Sequence, residues 1–88
     1  MFHKIIKVEA LKNQILKVYF ENEEIKYYDM NKTIKEIKAL EPLKDENIFK
    51  KASVDTGGYG IIWDDLMDIS GEELYINGVD EEKIWIQE

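Results

Sequence analysis

The chain has no cysteine, no arginine, one proline and one histidine among its 88 residues. Without cysteine there are no disulfides, no thiol nucleophile and no thiolate metal site. A small domain lacking such staples is most at home in the cytosol, so a cytoplasmic location is expected. Without arginine the chain lacks the side chain best suited to bidentate recognition of phosphate or carboxylate. The lone histidine, His3, is the sole candidate for a serine–histidine triad or a histidine metal ligand. It stands close to the start of the sequence and reads as a surface residue. Long apolar runs are missing too. The opening MFHKIIKVEA is broken by lysines and too short for a signal peptide. No stretch approaches the roughly 18 consecutive apolar residues of a membrane span.

What remains is ample for a core. Apolar residues make up 44% of the chain and aromatics 11%, which argues against intrinsic disorder. The length predicts one domain over residues 1–88, since domains commonly run from about 50 to 250 residues. The net charge of −7 is unevenly spread. Residues 1–44 carry nine lysines against seven acids, and residues 45–88 carry three against twelve. An acidic surface repels phosphate backbones, so direct nucleic-acid binding is not expected. It favours a basic partner protein, although such a surface also serves plain solubility.

Residues 4–29 read as an antiparallel meander. Ile5, Ile6, Val8 and Ala10 form a first strand, and Lys12-Asn13-Gln14 a turn. In the second strand Leu16, Val18 and Phe20 face one way while Ile15, Lys17 and Tyr19 face the other. Glu21-Asn22-Glu23 turns into Ile25 to Tyr28, with asparagine supplying any left-handed residue. Thr33 and Glu36 suit a capping box for a short helix that Pro42 ends by about Glu41. Asp45 caps a second helix over 46–52, with Ile48, Phe49 and Ala52 inward.

A hairpin over 53–63 follows, turning at Thr56-Gly57-Gly58-Tyr59-Gly60, where glycine permits positive φ. Ile61, Ile62 and Trp63 return as a strand, with the Trp63 ring expected in the core. Ser70 and Glu73 box the start of a helix that Asn77-Gly78 stops. The tail, residues 80–88, carries Ile84, Trp85 and Ile86 after an acidic spacer. It reads as a strand that pairs either with its own sheet or with another copy of the chain. The fold class is therefore a small α+β domain.

In this order the chain resembles the bacterial domain-of-unknown-function 2442 family over roughly residues 4–76. The carrying residues are Leu16-Lys17-Val18-Tyr19-Phe20, Tyr28-Asp29-Met30, Leu43-Lys44-Asp45, Phe49, Ile61-Ile62-Trp63, Asp68-Ile69-Ser70 and Leu74-Tyr75. Asn22-Glu23 stands where the family usually has Asp-Gly, and Asp64 where it tends to have proline. The resemblance implies a small α+β domain without an established activity. Its members are often encoded beside a second small protein, in an arrangement like a toxin–antitoxin pair.

Catalytic and cofactor signals do not assemble. Asp64, Asp65, Asp68, Glu72 and Glu73 form an acidic run, yet neither EF-hand register works. A start at Asp64 puts Leu66 at a ligand position, and a start at Asp68 puts Glu73 where the turn glycine belongs. Gly57-Gly58-Tyr59-Gly60 has no following helix and no lysine or serine at a phosphate-loop offset. No catalytic residue, cofactor or metal is therefore assigned. The expectation is an interaction module that is not an enzyme, and the resemblance implies the antitoxin-like member of a two-gene pair. Its partner would be another small protein, with a homodimer as a further form. Asp64, Asp65, Asp68, Ile84, Trp85 and Ile86 are the candidate contacts. The alternative is a small ligand or metal held at the Trp63–Asp68 corner.

Overall fold

A computed structural model describes residues 2–86, apart from the side chain of Ile86. Three strands, β1 (Ile5–Leu11), β2 (Ile15–Phe20) and β3 (Ile25–Asp29), form an antiparallel meander in that order. Opposing residues include Val8 with Val18 and Lys17 with Tyr27, so the expected alternation holds. Leu16, Val18 and Phe20 are buried on the inner face. The first turn uses Asn13 and Gln14 in the left-handed region. The second departs from expectation. Glu23, not Asn22, takes positive φ (74°), and the Asn22 side chain accepts a bond from Glu24 N–H at 3.0 Å.

The middle region is shorter and tighter than the sequence pattern predicts. Helix α1 (Asn31–Glu36) starts two residues before Thr33, and no side-chain cap closes it. Instead Asp29 Oδ1 receives the Asn31 N–H at 2.9 Å. The proposed Thr33–Glu36 box does not form because Thr33 lies inside the helix, with its hydroxyl on Tyr28. A 3₁₀ segment, Lys38–Lys44, then carries Pro42 within it. Leu40 and Leu43 are buried there, three residues apart, the spacing that stacks side chains on one edge of a 3₁₀ turn. Helix α2 (Glu46–Phe49) is capped by Asp45, whose side chain accepts from Asn47 N–H. Phe49 is buried; Ile48 and Ala52 pack partly buried beside the core.

A second antiparallel sheet combines β4 (Ser53–Val54), β5 (Gly60–Asp64) and β6 (Met67–Ser70). Its first turn places Gly57 and Gly58 at φ of 90° and 78°. A Cβ at Gly58 would lie 2.6 Å from the Ile5 carbonyl oxygen, so the turn needs glycine for space as well as conformation. The Gly58 carbonyl also accepts Ile5 N–H at 3.0 Å, joining the two sheets. Strand β6 was not anticipated. Its signal is period-two burial, with Met67 and Ile69 inward and Asp68 and Ser70 outward.

Ser70 caps helix α3 (Gly71–Asn77) as expected, its hydroxyl accepting Glu73 N–H at 3.1 Å. The main core gathers Ile5, Leu16, Val18, Phe20, Met30, Leu43, Phe49, Ile61 and Leu74 between the meander and the remaining elements. Two expectations need correction. Trp63 is half-buried at the core's margin, because its indole N–H reaches out to the Phe49 carbonyl at 2.8 Å. The tail is a helix, α4 (Glu81–Ile86), not a strand. Asp80 C=O accepts from Lys83 and Ile84 N–H groups, and Glu81 and Glu82 sit favourably at the positive end of the helix dipole. Among the described residues of this segment, Val79 makes the strand-like contact, exchanging two backbone bonds of 2.8 Å with Tyr27. Residues 87 and 88, which the tail prediction included, lie outside the described residues.

Candidate functional site

The five candidate contact residues whose side chains are described, Asp64, Asp65, Asp68, Ile84 and Trp85, do not share one surface feature. Asp64 Oδ1 accepts the N–H groups of Leu66 (2.8 Å) and Met67 (2.9 Å), so this carboxylate builds the β5–β6 turn. Asp65 is exposed at that turn, beside Leu66, which is 84% exposed. Asp68 lies farther along β6. At the other end, Ile84 is buried with Ile15 and Tyr27, forming a satellite cluster on the outer face of the meander. The Trp85 ring stands edge-on to Tyr27 with centroids 6.2 Å apart and remains partly exposed. The Ile86 side chain lies outside the described residues.

An open cleft of about 800 Å³ lies between the end of β3, α1, β6 and α3. Four carboxylates line it, Asp29, Glu36, Asp68 and Glu73, against the single cation Lys32. Its floor is organised by Tyr28. The phenol donates to Glu73 Oε2 at 2.8 Å and lies 3.1 Å from the Thr33 hydroxyl. Asn77 Nδ2 donates to the same Glu73 oxygen at 2.9 Å. Burial, followed by the Glu73 hydrogen bond, raises the pKa of Tyr28 above its usual value, while the Thr33 bond opposes the shift. Because Glu73 is engaged this way, it makes no return bond to the Ser70 N–H, and the expected capping box is half closed.

The acidic run in the sequence includes Asp68 and Glu73, and it does not join Asp29 or Glu36 to them. In the sequence Glu36 and Glu73 read as capping-box partners, and Asp29 belongs to the Tyr28-Asp29-Met30 stretch of the family resemblance. Nothing in local spacing joins residue 29 to residue 68; only the acidic balance of the chain pointed this way. Among the described residues, no three His, Cys, Asp or Glu side chains converge as metal ligands.

A second polar cluster fixes the start of the chain. His3 is half-buried, in contrast to the surface residue expected, and its ring stacks on Tyr75 at 3.5 Å between centroids. His3 Nδ1 lies 3.1 Å from Glu72 Oε1, and the same oxygen accepts the His3 N–H. The Tyr75 hydroxyl bonds Glu24. These contacts hold Glu72 and Glu24 below the usual carboxylate range, through His3 and Tyr75 respectively, and push Tyr75 up.

Fold and cleft together define a small α+β protein with two three-stranded antiparallel sheets. Residues 5–80 match the model of DUF2442, described as a protein of unknown function, and the chain belongs to this family. The match includes the residues that carried the resemblance and extends four positions into the C-terminal part. Among solved structures, the fold is similar to that of a candidate DNA-binding protein from Nitrosomonas europaea ATCC 19718. The TM-score is 0.76 and the identity 23%, covering 85% of this chain and 48% of the other. This chain thus spans about half the length of that protein. No curated protein matches the sequence.

Proposed function

We propose that this chain is a protein-interaction module whose acidic cleft receives a basic segment of a second small protein. The observation that carries the reading is the imbalance in the cleft, four carboxylates to one lysine. Such a surface attracts lysine- and arginine-bearing partners and speeds their encounter. The resemblance adds a setting, the antitoxin-like member of a two-gene pair, acting in the cytoplasm and without catalysis of its own. Self-association into a homodimer remains part of this reading.

The name of the Nitrosomonas protein raises DNA binding as a second reading. The cleft's charge opposes it, and no arginine is present to hold a phosphate. A metal or small ligand at the Trp63–Asp68 corner is third. Asp64 is occupied by two backbone N–H groups, which reduces the free ligands there.

The test is co-purification with the protein encoded next door, repeated with the double variant Glu36→Lys, Asp68→Lys. The pair should co-purify with the wild-type chain, and the variant should lose its partner while melting normally. A variant that retains the partner would remove the cleft from the interface. Anisotropy with labelled duplex DNA and a metal and metabolite thermal-shift screen address the other two readings. Light scattering gives the mass.

A further inference from the structure

Among the described residues, the second sheet has one edge that no other strand pairs with. Its ladder direction follows from two bonds outside the strands. Gly71 N–H donates to Tyr59 C=O at 2.7 Å, and Asp55 N–H donates to Gly60 C=O at 3.0 Å. Residues alternate along an antiparallel ladder between groups that bond the neighbour and groups that point away. Ile69, which opposes Ile61, is therefore in register with the bonded Tyr59–Gly71 pair. Asp68 and Ser70 are out of register with it, so their backbone N–H groups and the Asp68 C=O point away from β5. Among the described residues no strand pairs with β6 on that side, and no bond to these groups is formed. The half-closed cap contributes, since Glu73 turns to Tyr28 and leaves Ser70 N–H open.

The other edges are treated differently. Val79 covers part of β3, β1 is joined to the Gly58 turn, and β4 is only two residues long. The open edge of β6 is also where the acidic cleft lies, for Asp68, Ile69 and Ser70 line it. Backbone donors, a backbone acceptor and carboxylates thus meet along one short line. An extended peptide satisfies the backbone groups by strand addition, and its alternate side chains select the sequence. Directly opposed residues on neighbouring strands share a face. A cation opposite Asp68 is thus on the same side as the Asp68 carboxylate, and an anion there is repelled.

We infer that β6 is a docking edge, which takes an extended, lysine- or arginine-bearing segment of another protein as a fourth strand of the second sheet. This deepens the module reading and rests on it, adding the mode of contact. The segment runs beside Asp68–Ser70, with a basic side chain opposite Asp68 and its other cations toward Glu36 and Asp29.

A library of random peptides displayed on phage is panned against the full chain, and the selected sequences are synthesised. Affinities are measured for wild type, Asp68→Asn and Asp68→Pro. Asparagine removes the charge and keeps the N–H; proline removes both, and is tolerated where an edge N–H faces outward. Selected peptides should carry lysine or arginine at alternate positions. Asp68→Pro should weaken them roughly tenfold or more beyond Asp68→Asn, with peptides bound one to one. As a check that requires no folded proline variant, each peptide is N-methylated on one or the other alternate set of amides. One set should abolish binding to wild type and the other should leave it intact. Equal effects of the two sets, or of the two variants when both fold, would overturn strand addition while leaving a charge-held module. Selected peptides without basic enrichment, or none selected, would overturn the module reading as well. Dimerisation of the free chain through β6, lost in Asp68→Pro, would assign the edge to a second copy and overturn the heterologous segment.

Discussion

The Tyr28 hydroxyl donates to Glu73 Oε2 at 2.8 Å, joining the last strand of the meander to the first turn of α3 across the cleft floor. A hydrogen bond to a charged acceptor contributes about 1.5–3 kcal/mol. Tyr28→Phe should therefore lower stability by about that amount in urea unfolding. It also changes the alkaline limb. The folded-state pKa of Tyr28 is raised, so its contribution is complete below about pH 10, the unfolded value. It is lost as pH rises through the folded value. The wild-type chain should lose stability over that range, and Tyr28→Phe should lose less.

The acid limb is set elsewhere. Glu72 is held down by His3 and Glu24 by Tyr75. Depressed carboxylate pKa values stabilise above about pH 4, the unfolded range, and that stability disappears as pH falls through the folded values. Glu72→Gln and Glu24→Gln should each flatten the fall in melting temperature below that pH. An unchanged acid limb in both variants would show that the cluster is not held in solution.

Trp63 separates ring packing from hydrogen bonding. Its ring lies 5.9 Å from that of Phe49, centroid to centroid, and its N–H holds the Phe49 carbonyl. Fully buried rings cost about 3–5 kcal/mol on truncation. For this half-buried ring Trp63→Ala should cost about 2–3 kcal/mol. Trp63→Phe should cost about 1 kcal/mol, the share of the hydrogen bond. Equal losses in denaturant titrations would mean that the bond, not the ring, fixes α2.

Ile84 carries the attachment of α4. It is 3% exposed and touches Ile15 and Tyr27 in a small cluster apart from the main core. Ile84→Ala should cost about 2 kcal/mol, the lower end for a buried aliphatic side chain, because the site can collapse. Deleting residues 80–88 should lower the melting temperature at least as far. Calorimetry distinguishes this from a tail that melts independently.

The meander was legible because its strands obey a simple period, and several turns and caps because their signals are local. Leu16, Val18 and Phe20 alternate cleanly, and Ser70, Asp45 and the Gly57–Gly58 turn carry side-chain or conformational signals that act locally. Strand β6 was hidden by length, for its four residues, the last of them the cap Ser70, offer only two apolar positions. The tail was misread because Ile84-Trp85-Ile86 suits a strand equally well, and the helix depends on Asp80 and on packing against Tyr27. The cleft was legible only as an acidic balance. Its members come from Asp29, Glu36, Asp68 and Glu73, and folding alone brings such distant positions together.

The reciprocal bonds between Tyr27 and Val79 make the two amides a matched pair of reporters. Any fluctuation that lifts Val79 from the meander releases both protons at once, so their hydrogen-exchange rates should share one opening free energy. That free energy measures how firmly the C-terminal segment shields the border of β3. When it opens, Tyr27 loses its partner, and its N–H and C=O become available to another chain. Tyr27–Val79 thus closes this point of the β3 edge, and slow joint exchange of these protons is its signature.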